Sequence, residues 1–348
     1  MRGGAGVTDL ALSRWRAFHL YYHEQPDRLL DELVHPLVAS LLARGEIDSF
    51  FFVRYFLGGP HVRLRVRLCG DERAVAEEIR GAAEQFFRTC PSCLSIPIEK
   101  IREAHPTIMA LDPAETDDTI YPDNTVRSAP FVPESERYGG AHRLADSLAY
   151  FALSSCRALR WLRERGGDPG TRLSSALQHL GLWALALAGD EREALRLAHY
   201  PVASWELAPV RLVEKGDLAF GGQKDRHVLS LRVRIESLTT GGDWEGDLGA
   251  DRHFEGTLRG FPGRLRILTS QLHMAANRLG LHNSEEFYLA RLLWRVMSEV
   301  AAVEPELWKR LGERLALREQ VCPMGDCLAQ AFASLNVDHR APGTTVVS

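Results

Sequence analysis

Apolar and cationic residues alternate strictly over His61-Val62-Arg63-Leu64-Arg65-Val66-Arg67-Leu68, and a period of two is that of a β-strand. Val62, Leu64, Val66 and Leu68 thus share the face that meets a core, and His61, Arg63, Arg65 and Arg67 share the other. Upstream, Trp15 to Tyr22 reads as a strand. Pro26 to Arg44 reads as a helix with Leu29, Leu33, Leu37 and Leu41 on its apolar side and a kink at Pro36. Ser49 to Leu57 is an aromatic and β-branched strand, Gly58-Gly59-Pro60 supplies a turn, and His61 to Cys69 returns antiparallel. Asp71 then opens an acid-rich helix to Phe87, and a last strand is expected between Leu94 and Val132. Strand, helix, strand, strand, helix, strand is the order of a ferredoxin-like split β-α-β unit.

From Ala141 the pattern turns helical, at 141–165, 171–188, 190–199, 224–238, 257–279, 283–302 and 304–318. Glycine-rich turns at 166–170 and 241–246 separate the segments. The expected class is therefore α+β. A mixed or antiparallel sheet at 1–140 packs with a mainly helical part at 141–348, in one compact body with a site between the halves.

Composition narrows the function. The 348 residues are 45% hydrophobic and 25% charged, ordinary for a globular chain. A net charge of -4 argues against a broad basic surface for nucleic acid, so any anion site is small and local. No apolar run approaches the roughly 20 residues that span a bilayer, and the amino terminus leads into no hydrophobic signal segment, so no membrane association is expected and the cytoplasm is the expected location. The six cysteines suit a reducing compartment. Cys90-Pro91-Ser92-Cys93 and Cys322-Pro323-Met324-Gly325-Asp326-Cys327 could pool four thiolates, but the second spacing is loose and the pairs are far apart in sequence, and plain cysteines are favoured over a metal site.

Three segments carry candidate chemistry. No acid interrupts the row of guanidiniums at Arg63, Arg65 and Arg67, and like charges side by side on a sheet repel. The row calls either for an anion or for carboxylates on a neighbouring element. Glu134-Ser135-Glu136-Arg137-Tyr138-Gly139-Gly140 stands before a long helix. There Glu134 and Arg137 pair if the turn is helical, as a surface ion pair or as part of a site. In Ser270 to Leu279, His273 and Asn277 lie one turn apart beside the apolar stripe of Leu272, Ala275, Ala276 and Leu279, and a structural histidine and a catalytic one remain open.

Together, and in this order, the aromatic strand Phe50-Phe51-Phe52-Val53-Arg54-Tyr55, the strand Pro60 to Arg65, the Glu134 to Gly140 segment and His273-Met274 with Asn277-Arg278-Leu279 resemble the C-terminal glutamate-elimination domain of class I lanthipeptide dehydratases and the related stand-alone proteins of thiopeptide biosynthesis. The resemblance runs from Trp15 to about Leu317. It implies a lyase that removes glutamate from glutamylated Ser or Thr of a precursor peptide, leaving dehydroalanine or dehydrobutyrine, with no cofactor or metal. The family's functional positions fall on Arg63, Arg65, Glu134, Arg137 and His273, with His61, Arg67 and Asn277 as further candidates for substrate binding. The large glutamylation domain has no counterpart in this sequence, so the implied partner is a separate tRNA-dependent glutamylating subunit, without direct nucleic-acid binding here. A homodimer is left open. Two rival expectations are a pyridine synthase of the [4+2] cycloaddition type, which resembles the same family, and a non-catalytic scaffold that binds precursor peptide at its sheet edge.

Overall fold

A computed structural model of the chain describes residues 12–94, 99–103, 119–165, 169–199, 210–239, 248–316 and 323–336. The chain forms two compact units. The first takes the described residues of 1–133, 154–167 and 331–348, and the second those of 134–153 and 168–330.

In the first unit the elements run β1 (Trp15–Tyr21), α1 (residues 27–43), β2 (Ile47–Tyr55), β3 (His61–Leu68), α2 (Glu72–Thr89) and β4 (Thr125–Ala129). The strands lie in the order β2-β3-β1-β4 with every neighbouring pair antiparallel, the arrangement of a split β-α-β unit. Alternation along β3 does what the sequence requires, since Val62, Leu64 and Val66 are wholly buried. Phe18 and Leu20 of β1 and Phe52 of β2 are their register partners on that face. Arg16 and Arg54 project from the same face and pair with Glu72 of α2 and Asp27 of α1, which puts both helices on that side.

Helix α1 is not regular. Its middle turn, Leu30–Val34, is a π turn in which the His35 N–H reaches back to the Leu30 carbonyl. Pro36 follows, and its ring excludes the carbonyl four residues earlier, so the kink expected at Pro36 takes the form of a widened turn just before it. Asp71 caps α2 by accepting from the Ala74 N–H at 2.8 Å. The outer edge of β2 is covered. Its Phe52 N–H donates to Ser155 Oγ at 3.2 Å, and Phe50 packs on Phe332 with ring centroids 6.0 Å apart.

The second unit is helical. It holds the start of α3 (Ala141–Arg165), then α4 (Pro169–Leu187), α5 (Glu191–Ala198), α6 (Val210–Thr239), α7 (Gly249–Thr257), α8 (Arg264–Arg278), α9 (Asn283–Val303), α10 (Pro305–Ala316) and most of α11 (Met324–Ser334). The helix expected at 257–279 is corrected: Gly260, with φ +73°, and Pro262 delay its start to Arg264, and α7, which ends at Thr257, was not anticipated. The helix expected at 224–238 begins earlier, at Val210, and kinks at Gln223. The glycine-rich turn at 241–246 and most of that at 166–170 lie outside the described residues.

A buried charge network ties these helices together. Arg252 donates to the carbonyls of Ala186 and Ala188 at the end of α4 and to that of Leu315 near the end of α10. Glu255, 1% exposed, accepts from Arg259 at 2.9 Å and from Arg264 at 3.0 Å, and Arg264 also pairs with Glu193 of α5. These contacts satisfy carbonyls that helix ends leave without partners. No described helix is long and apolar enough to cross a membrane.

Candidate functional site

The first unit carries four of the candidate residues on the sheet face opposite its core. Arg63, Arg65 and Arg67 are half-buried there, and His61 is 2% exposed. Aromatic rings hold the guanidiniums by their faces: Arg63 lies 3.5 Å from the ring centre of Tyr55, Arg65 5.2 Å from that of Phe51, and Arg67 5.9 Å from that of Trp15. Arg67 also pairs with Asp48, the extra residue at the irregularity between Ile47 and Ser49 of β2. Register continues the cationic row across the sheet, since Arg63 faces His19 of β1 and His19 faces Arg127 of β4.

His61 is fixed by both ring nitrogens. Nδ1–H donates to the Gly59 carbonyl at 2.7 Å, and Nε2 accepts from Arg63 Nε–H at 3.2 Å. Burial, and then the neighbouring His19 stacked at 4.9 Å, push its pKa well below the usual imidazole range. His61 is therefore a neutral acceptor that orients Arg63.

The second unit carries the other four. Residues 134–140 form a tight turn in which the Arg137 N–H donates to the Glu134 carbonyl and the Gly140 N–H to that of Ser135. Glu134 and Arg137 pair at 2.9 Å, each close to half exposed. Gly139 and Gly140 both have φ +83°, which favours glycine at each, and at Gly139 a Cβ would also sit 3.1 Å from the Phe261 ring. Tyr138 is 3% exposed and locks the turn to α8, its hydroxyl hydrogen-bonding Ser270 Oγ at 3.0 Å and its ring meeting Phe151 edge-on. Ser270 lies one turn before His273 on the same helix. Asn277, half-buried, lies one turn after it.

His273 is held by a residue that sequence reading missed. Both carboxylate oxygens of Glu286, on α9, lie 2.9 and 3.0 Å from His273 Nδ1. Glu286 follows Glu285 in the first turn of α9, where acids ordinarily serve the helix terminus, and Glu285 does so by accepting from the His282 N–H. The available signal was position: Glu286 falls three, four and seven residues before the buried Leu289, Ala290 and Leu293, on the apolar stripe. Tyr138 was likewise missed as the anchor between the turn and α8. Among the described residues no three His, Cys, Asp or Glu side chains are arranged to hold a metal ion, and Cys322 lies outside those residues.

Comparison with known proteins gives a family and a fold. A family model described as lantibiotic biosynthesis dehydratase C-term matches residues 15–297. No curated protein matches the chain. Among solved structures, the pyridine synthase TbtD from thiomuracin biosynthesis is similar at 21% identity and TM-score 0.68, over 83% of this chain and 99% of that one. The tRNA-dependent lantibiotic dehydratase MibB from Microbispora sp. 107891 is similar at 19% identity and TM-score 0.54, over 87% of this chain and 29% of that one. TsrL is similar at 17% identity and TM-score 0.52, over 88% of this chain and 99% of that one.

Proposed function

Because the chain belongs to the lantibiotic biosynthesis dehydratase C-terminal family, we propose that it eliminates glutamate from glutamylated Ser or Thr side chains of a ribosomally made precursor peptide, as a cytoplasmic lyase supplied by a separate glutamylating subunit. The observation that carries the reading is that guanidiniums and an oriented imidazole are both present. Arg63, Arg65 and Arg137 are cations suited to a carboxylate, and His273 is held by a carboxylate of its own.

Elimination needs three things: removal of a weakly acidic Cα proton, stabilisation of charge on the adjacent carbonyl, and stabilisation of the departing glutamate. Arginine serves the last two, because its planar fork binds carboxylates bidentately and stays charged. His61 orients Arg63, and Glu134 orients Arg137. His273 moves the proton. Arg67 and Asn277 are assigned to binding the peptide around the ester.

A second reading, cycloaddition, is supported by the similarity to the pyridine synthase from thiomuracin biosynthesis, whose TM-score is 0.68 against 0.54 for the lantibiotic dehydratase. One experiment separates the readings. The purified protein is incubated with a glutamylated precursor and, separately, with a precursor carrying two dehydroalanines, and products are followed by mass spectrometry. Loss of glutamate with formation of dehydroalanine is the expected result. Cyclisation of the second substrate with no change in the first would replace elimination by cycloaddition, and binding without conversion of either would make the protein a scaffold.

A further inference from the structure

Glu286 is 2% exposed, whereas the His273 side chain it holds is 18% exposed. A buried carboxylate on an apolar helix stripe is costly unless it is hydrogen-bonded, so its placement against one ring nitrogen is a specific arrangement. An ionised carboxylate only accepts, so His273 Nδ1 is the donor and carries a proton. In the neutral ring the lone pair is then on Nε2. Glu285, the neighbouring acid, is committed to the His282 N–H and takes no part.

We infer that Glu286 is a positioning residue that makes His273 the general base of the elimination, by holding the proton on Nδ1 and the lone pair on Nε2. The inference rests on the glutamate-elimination reading and assigns a direction to its proton transfer. The leaving group is a carboxylate whose conjugate acid has a pKa of about 4, so it departs without being protonated. The Cα–H bond is the one that needs help. Nε2 takes the Cα proton, the C–H electron pair becomes the Cα=Cβ double bond, and the Cβ–O bond breaks with its electrons leaving on glutamate. The imidazolium so formed keeps its Nδ1–H on Glu286, which stabilises the new charge where it appears, and afterwards releases the Nε2 proton to water.

The test reads the tautomer and the rate separately, in the full chain with ¹⁵N-labelled histidine. In mildly alkaline buffer the wild-type His273 is expected to show a proton on Nδ1 and none on Nε2. Glu286→Gln offers an amide that donates as readily as it accepts, so the tautomer bias is expected to disappear. The kcat for glutamate release from a synthetic Ser-O-glutamyl peptide should fall on the order of 10²-fold, with KM within about twofold. Glu286→Asp keeps the charge and should recover the Nδ1–H tautomer and part of kcat, which a purely structural role would not require. A Gln variant with unchanged tautomer and kcat, or with a loss confined to KM, would overturn the inference. If the Gln variant does not fold, the wild-type and Asp spectra decide, and a wild-type proton on Nε2 in place of Nδ1 sinks the assignment of a base. Should the wild type release no glutamate while its tautomer depends on Glu286, the elimination reading fails and the positioning of His273 stands.

Discussion

Acidification should destabilise the folded protein through His61 by an amount that can be worked out in advance. The ring is 2% exposed, stacks on His19 at 4.9 Å, lies tilted against Tyr21 at 4.6 Å, and accepts from Arg63 through Nε2. Protonating it would bury a charge beside a guanidinium and remove that acceptor, and its folded pKa is accordingly held well below the ordinary value. In the unfolded chain it titrates at about 6.5. Between those two values the unfolded state binds one more proton than the folded state, so stability falls as pH falls. The contribution is whole well above about pH 6.5 and is lost below it at up to about 1.4 kcal/mol per pH unit until the folded pKa is reached, which sets a ceiling of about 1.4 kcal/mol at about pH 5.5 and about 2 kcal/mol at about pH 5.0.

His61→Gln is neutral at every pH and isolates this contribution. His23, His199 and His227 are also depressed by burial and act with the same sign, but they are common to both proteins and cancel in the comparison. Urea unfolding of wild type and variant at several values from about pH 7.5 to about pH 5 provides the measurement. The wild type should lose stability relative to the variant progressively across that range, by up to about 2 kcal/mol. A difference between the two proteins that stays flat with pH would mean that the fold does not depress the His61 pKa, and would refute the buried neutral acceptor.

Two further changes test the second unit. Tyr138→Phe removes the buried hydrogen bond to Ser270 and should cost about 1 kcal/mol, with a double-mutant cycle against Ser270→Ala recovering a coupling of similar size; additive effects would refute the latch between the turn and α8. Glu255→Gln leaves Arg252, Arg259 and Arg264 without their shared carboxylate and should cost about 3–5 kcal/mol in chemical unfolding, whereas a loss below about 1 kcal/mol would show the network to be dispensable.

The sheet was legible in the sequence because its determinants are local. Period-two alternation at 61–68, Gly58-Gly59 in the left-handed region and Asp71 at a helix start each act within a few residues. The helical part was legible by length and less so by boundary: the helix expected from 257 starts only at Arg264, past Gly260 and Pro262, and the short helix α7 before it was not anticipated. Helix α11 was not anticipated at all, since Met324–Ser334 is short and follows the second cysteine pair, which drew the reading toward ligands. At the candidate site, the residues proposed to do chemistry were visible by type, whereas those that hold them were not. Glu286 looks like an ordinary first-turn acid, and Tyr138 like one more aromatic, until α8 and α9 bring each to its partner.

One fold here carries more than one chemistry, since solved structures described as a pyridine synthase and as a lantibiotic dehydratase are both similar to this chain at about one-fifth identity. The backbone therefore decides little, and the side chains must. Expelling glutamate creates a carboxylate, a charge that guanidiniums stabilise more as it develops than in the uncharged ester from which it comes. Joining two dehydroalanines expels no glutamate, and a carboxylate-binding set of arginines adds nothing to that step. An arginine face kept half-buried against Tyr55 and Phe51, with a histidine held neutral to orient Arg63, is a costly arrangement to maintain for a reaction that makes no use of it. On that ground elimination is the reading we propose over cycloaddition, even though the pyridine synthase has the higher TM-score of the two.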